Sequence, residues 1–150
     1  MRTSWHDKLV FKEIMNVSKS NMERACILVE RDVKQSMSGQ RTGRKYKRGK
    51  KWHYASIKGE TPAVDTGRLW NSITHRLSTD TGRAAIDNPV PENQADDGIG
   101  APKSNPFVLI GAVGTNVNYG LDLETTKKRP FLSPALLRNE SKIKEILSGK

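Results

Sequence analysis

Cysteine is nearly missing from this chain. Cys26 is the one cysteine in 150 residues, which excludes an internal disulfide framework and suits a reducing compartment. Aromatic residues are few as well, three each of Phe, Tyr and Trp, and hydrophobic residues of all kinds make up 35%. With a mean hydropathy of −0.67, that is lean for a compact monomer: either long segments lie outside the core, or neighbouring subunits complete the surface. No apolar run approaches the ~20 residues of a membrane span, and the first residues hold no signal-peptide core, so cytosolic synthesis and no membrane partner are expected. Acidic residues are missing from one stretch altogether. Between Val33 and Gly59 there are nine Lys/Arg and no Asp/Glu; outside it the 26 basic residues fall to 17, against 16 acidic. The net charge of +10 therefore belongs to one segment and not to the fold.

The length fits a single domain over 1–150, able to bury roughly two-thirds of its unfolded surface. Residues 8–37 read as a long helix, with Phe11, Met15, Met22, Cys26, Val29, Val33 and Met37 mostly three to four apart. Cys26 lies on that stripe as a small buried hydrophobe. At about 45 Å the helix outreaches a domain of this size, so it breaks near Asn16–Ser20 or projects. The basic arm, 38–60, follows. Its stretch from Gln40 to Lys51 is too charged to fold alone and reads as a mobile hairpin or a disordered arm, with Trp52, His53 and Tyr54 as an aromatic foot.

Asp65-Thr66-Gly67 begins a turn or short helix through Leu69, Trp70 and Ile73. Ser72–Ser78 then reads as a strand, with Arg83–Ile86 pairing back across a turn. Residues 87–106 form an acidic, Pro-rich loop with four of the seven prolines, long enough to be functional or disordered. Its charge opposes that of the arm. The run Phe107–Gly114 suits a buried strand whose glycines admit close backbone approach. Ser133 as N-cap and Pro134 at the first helical position open a last helix, striped by Leu136, Leu137, Ile143, Ile146 and Leu147. The expected fold is α+β: a long N-terminal helix and a C-terminal helix packed on a small, mainly antiparallel sheet. That sheet would be built from the Ser72–Ile86 hairpin and the Phe107–Thr115 strand.

No catalytic pattern stands out. Asp65-Thr66-Gly67 matches the aspartic-protease signature, and a homodimer could in principle assemble two such carboxylates. Arg68 stands where those enzymes keep a small residue, however, and long flanking strands are missing, so a capped turn is the better reading. His6, His53 and His75 are scattered without metal-ligand spacing. No Gly-x-Ser-x-Gly elbow is present, and Gly111-Ala-Val-Gly114 lacks the lysine of a phosphate loop. No enzyme activity, cofactor or metal is expected. Arg41, Arg44, Lys45, Lys47, Arg48, Lys50 and Lys51 form the strongest binding signal: they could neutralise several phosphates, with Tyr46, Trp52 and Tyr54 as stacking faces. Such binding is sequence-indifferent and salt-dependent. The competing reading is a solvated loop, or an arm gripping an acidic neighbouring subunit.

Two blocks together resemble a known family. Thr61-Pro62-Ala-Val-Asp65-Thr66-Gly67-Arg68-Leu69-Trp-Asn-Ser72-Ile73 is followed by a glycine-containing strand, Tyr119, Glu124, the basic Lys127-Lys128-Arg129 and Pro130-Phe131-Leu-Ser-Pro134-Ala-Leu-Leu137. In this order, behind a long helix, they are similar to the head–tail joining and tail-completion (neck) proteins of long-tailed bacteriophages, over roughly residues 20 to 140. One departure is Thr125-Thr126 after Glu124, where the family often has a glycine. The resemblance implies a structural virion protein, present in host cytoplasm during assembly, forming a homo-oligomeric ring. Its partners would be head-connector and tail-tube or tail-terminator proteins, with double-stranded DNA in the lumen. Tyr119, Glu124, Arg129 and Phe131 would then form the subunit joint, Phe131 as a buried anchor and Glu124 paired with Arg129 across it.

Overall fold

The structure, a computed structural model, describes residues 5–81, 98–105 and 108–150, with the side chains of the first helix from Glu13 onward. Helix α1 runs unbroken over Trp5–Met37. Strands β1 (Lys45–Arg48) and β2 (Lys51–Tyr54) form an antiparallel hairpin, so the basic arm is ordered as a ribbon. Short helix α2 (Arg68–Ser72) leads into β3 (Thr74–Leu77), which pairs antiparallel with β4 (Gly111–Gly114). Helix α3 (Gly120–Glu124) and helix α4 (Leu132–Leu147) end the chain. The fold is α+β: among the described residues, two terminal helices with two small antiparallel sheets.

The second half of α1 is the spine of the core. Its Val29, Val33 and Met37 join Leu69, Ile73, Val117, Phe131 and Ala135 in one buried cluster. Both sequence blocks that carry the family resemblance thus meet in a single core. The first half of the helix behaves differently. At 33 residues α1 spans about 50 Å, longer than the roughly 40 Å expected across a compact domain of this length. Residues 13–20 are all exposed, Ile14 and Val17 among them. Of the two expectations for this helix, it projects and does not break.

Strand β3 pairs with β4, more than 30 residues downstream, so the two stretches expected in one sheet do meet; the Arg83–Ile86 half of the expected hairpin lies outside the described residues. Two local expectations are corrected. First, the strand is Gly111–Gly114 and not the apolar run before it. Val108 and Ile110 are exposed, and Val108 makes only an isolated bridge to Asn105; Phe107 is outside the described residues. Gly111 explains where the cover begins: a Cβ there would lie 2.5 Å from Cys26 Sγ and 2.9 Å from Met22 Sδ, so α1 presses directly on β4 backbone.

The second correction concerns α4. The helix starts at Leu132, with Phe131 at the N-cap and no side-chain cap bond from it, so Ser133 and Pro134 both sit inside the first turn. Its buried residues are Ala135 and Asn139, while Leu136 and Leu137 are 56% and 70% exposed. The reason is the close pairing with α1. Asn139 Nδ2 donates to Asp32 Oδ2 at 3.0 Å, Arg138 reaches the same oxygen at 2.9 Å, and the small Ala135 lets the helices approach. With this polar anchor on the α1 side, two leucines of the apolar stripe are left largely exposed, Leu136 at the rim of a cleft against α1 and Leu137 farther out. No helix among the described residues is long and apolar enough to cross a membrane.

Candidate functional site

The β1–β2 hairpin sorts the basic arm into faces. Its register pairs Lys45 with Tyr54, Tyr46 with His53, Lys47 with Trp52 and Arg48 with Lys51. Side chains alternate along each strand, so Lys45, Lys47, Trp52 and Tyr54 share one face, and Tyr46, Arg48, Lys51 and His53 the other. The two-residue connection is Gly49-Lys50, with Gly49 alone at positive φ (58°), as the first position of a II′ hairpin turn requires. A turn that sequence glycines already signalled thus sets the register of the whole arm.

The inward face is fastened to the body. Tyr46 stacks on His53 with ring centroids 5.7 Å apart. Arg48 pairs with Asp65, whose carboxylate also takes the Tyr46 hydroxyl. Burial, then the Asp65 hydrogen bond and charge, push the Tyr46 phenol upward. At the base of the hairpin Gly43 N donates to Ala55 O at 2.9 Å and Ala55 N to Arg44 O at 3.0 Å. Asp65, the residue of the protease-like signature, is therefore a hairpin anchor with a guanidinium partner.

The outward face is open. Trp52 is 60% and Tyr54 48% exposed, and the Lys45 ammonium lies 4.9 Å from the Trp52 centroid and 5.7 Å from that of Tyr54. Arg44, Lys47, Lys50 and Lys51 are exposed as well. Arg41 is different. Its guanidinium donates to Ser36 O at 2.6 Å and Met37 O at 3.0 Å, closing C-terminal carbonyls of α1, and to Pro62 O at 3.2 Å, tying that helix end to the segment before α2. Burial, opposed by the charge of Glu60, lowers its pKa from the ordinary arginine value. Of seven basic residues singled out, Arg41 and Arg48 hold the arm in place and five are presented on it.

The four residues expected at the subunit joint lie around one region of the chain. Phe131 is 1% exposed, within the chain's own core. Glu124 caps α4 from a distance: its oxygens accept from Phe131 N at 2.8 Å, Leu132 N at 3.1 Å, Ser133 N at 2.9 Å and the Ser133 hydroxyl. Burial works against its charge, but these four bonds outweigh it and hold the carboxyl below the ordinary glutamate range. The carboxylate thus faces the helix start and not Arg129. Tyr119 and Arg129 line a cleft of about 310 Å³ with Tyr46, Asp65, Trp70 and Leu123, where the hairpin meets the body. A second cavity of about 310 Å³, between α1, β4 and α4, is bordered by Met22, Cys26, Val29, Val113, Leu132 and the exposed Leu136.

Sequence reasoning missed a polar link under the sheet. His75 Nδ1 lies 2.5 Å from Glu30 Oε2, and Lys34 Nζ 2.7 Å from Glu30 Oε1. Burial opposes the charge on Glu30, yet the His75 and Lys34 hydrogen bonds prevail and lower it; the Glu30 bond in turn raises His75, against burial. Glu30 and His75 are 45 positions apart, so only the i,i+4 half of this link, Glu30–Lys34, carried any sequence signal. Nearby, burial and the charges of Glu23, Glu30 and Asp80 push the Cys26 thiol up to about 11, which keeps it protonated and unreactive at neutral pH. Among the described residues no group of three His, Cys, Asp or Glu could hold a metal ion. The chain matches no protein-family model, and comparison with curated proteins and with solved structures gave no match.

Proposed function

We propose that this chain is a structural virion protein of a long-tailed phage neck or tail end, assembling as a homo-oligomeric ring that joins head and tail. The observation that carries the reading is the orientation of α4. A terminal helix that buries alanine and asparagine while turning Leu136 and Leu137 outward keeps apolar surface for a contact outside its own chain. The projecting half of α1 adds Ile14, Met15 and Val17. Among the described residues twelve large hydrophobics are exposed against eleven buried hydrophobics, an allocation that suits a subunit and not an isolated monomer. The resemblance supplies the kind of assembly, and head-to-tail contacts whose rotation closes would make the ring. The partners would be head-connector and tail-tube or tail-terminator proteins, and the work of the protein is interface formation without chemistry.

Light scattering at rising protein concentration and at two salt levels, with negative-stain images of any large species, tests this. Closed rings with a central hole are expected. A chain that stays monomeric at every concentration, alone and mixed with head-connector complexes, would sink the proposal. A second reading, sequence-indifferent nucleic-acid binding, is favoured by one observation, the open basic and aromatic face of the hairpin.

A further inference from the structure

The structure assigns a ligand to that face: we infer that Lys45, Lys47, Trp52 and Tyr54 form a site for single-stranded nucleic acid, taking unpaired bases on the two rings and phosphates on the two lysines. It rests on the nucleic-acid reading of the arm and is independent of the ring. Charge complementarity selects a polyanion, since nine basic and no acidic residues lie between Val33 and Gly59. The choice among polyanions comes from the rings. An acidic protein segment would be satisfied by lysines alone and gives no reason to hold a tryptophan and a tyrosine in solvent.

Ring spacing then decides between single and double strands. Trp52 and Tyr54 are two residues apart on one strand, so their attachment points are about 7 Å apart. Stacked bases in a duplex repeat at about 3.4 Å and offer no free faces. An extended single strand offers both faces of each base at a separation that matches the rings, and stacking of this kind ignores sequence. The Lys45 ammonium now lies over both rings. Exposed cation–π contacts are weak, so a base can replace the ammonium while the ammonium moves onto the adjoining phosphate. The opposite face cannot serve, because Arg48 and Tyr46 are held by Asp65. That fastening keeps the hairpin from turning its aromatic face inward.

The test is a titration of the full chain with an oligothymidylate of about twelve nucleotides, a duplex of the same length, and poly-glutamate, following tryptophan fluorescence and anisotropy of a labelled oligonucleotide. The single strand should quench Trp52 and bind more tightly than the duplex, with a log–log salt slope of about −1.5 to −3 for roughly two to four phosphates. Trp52→Ala and Tyr54→Ala should each weaken binding about tenfold, and Trp52→Phe should retain most of it while losing the quench. Both side chains are exposed, so circular dichroism should be unchanged. Absence of any binding at low salt removes the nucleic-acid reading itself. Binding that ignores Trp52 and Tyr54, favours the duplex, or yields to poly-glutamate at equal charge overturns the single-strand site alone.

Discussion

A side chain at Gly111 would collide with α1. With Cys26 Sγ only 2.5 Å and Met22 Sδ 2.9 Å from where a Cβ would stand, Gly111→Ala should destabilise the chain by about 1–3 kcal/mol through overpacking. Urea unfolding measures it. Cys26→Ala removes the nearer sulfur, so the double variant should be more stable than the sum of the two single effects; strict additivity would show that the clash is not with Cys26. Glu124 is the second residue whose role is local and sharp. Its four bonds to the start of α4 replace the cap that Phe131 does not supply. Because these bonds depress its folded pKa, they add stability above the unfolded value of about 4.3 that is lost as pH falls through the folded one. Glu124→Gln should cost about 1–2 kcal/mol at neutral pH and flatten the decline below pH ~4.3. An acid branch identical to that of the parent chain would contradict this assignment.

Between elements, polar links orient what the hydrophobic cluster brings together. Asp32 fixes the rotation of α4 through Arg138 and Asn139, and Glu30 ties α1 to β3 through His75. The second link makes the α1–β3 contact sensitive to pH. His75 has a raised folded pKa, so its contribution is complete below the unfolded value of about 6.5 and is lost as pH rises through the higher folded one. The groups facing it are Glu30, with Lys34 beyond, and the charges of Glu23 and Asp80. Unfolding free energy should therefore fall on the alkaline side of pH ~6.5, and His75→Gln should remove that slope. A slope of equal size in the variant would assign it to other groups. The Arg48–Asp65 pair that orients the hairpin is exposed, as Arg138–Asp32 is, and has little stability to give; the part-buried bonds of Glu30 and Asn139 are the stronger links.

The whole molecule distributes its few apolar residues unusually. A small core is built on the second half of α1, and leucines of α4 with apolar residues of the projecting α1 remain outside. If α4 is a subunit contact, Leu136→Glu together with Leu137→Glu should leave the unfolding free energy within about 0.5 kcal/mol of the parent, as surface changes do, while shifting light-scattering mass toward the monomer. Loss of stability with unchanged mass would place these leucines in the fold and not in an interface. Phe131, at 1% exposure, gives the contrasting result: its truncation removes core volume and should cost several kcal/mol, roughly 3–5, so an assembly defect in that variant would follow from unfolding.

Much of this was present in the sequence, because it depends on neighbours along the chain. Helical spacing revealed α1 and the buried Cys26, Val29, Val33 and Met37 of its stripe, though not that Met15 is exposed; glycine and proline marked the arm, the Asp65–Gly67 turn and the start of the last helix to within two residues, and the charge count isolated the arm. Tertiary structure alone decided the rest. Which side of α4 is buried turned on Asp32, over a hundred positions away. The register of β3 against β4, more than 30 residues on, and the close approach of α1 to Gly111 beneath Cys26 were also tertiary matters. Arg41 and Glu124, chosen from the sequence as contacts to something else, were taken up by helix ends in their own chain. Periodicity and composition record what a residue is, and a helix terminus short of hydrogen bonds will use whichever charged side chain the fold brings near.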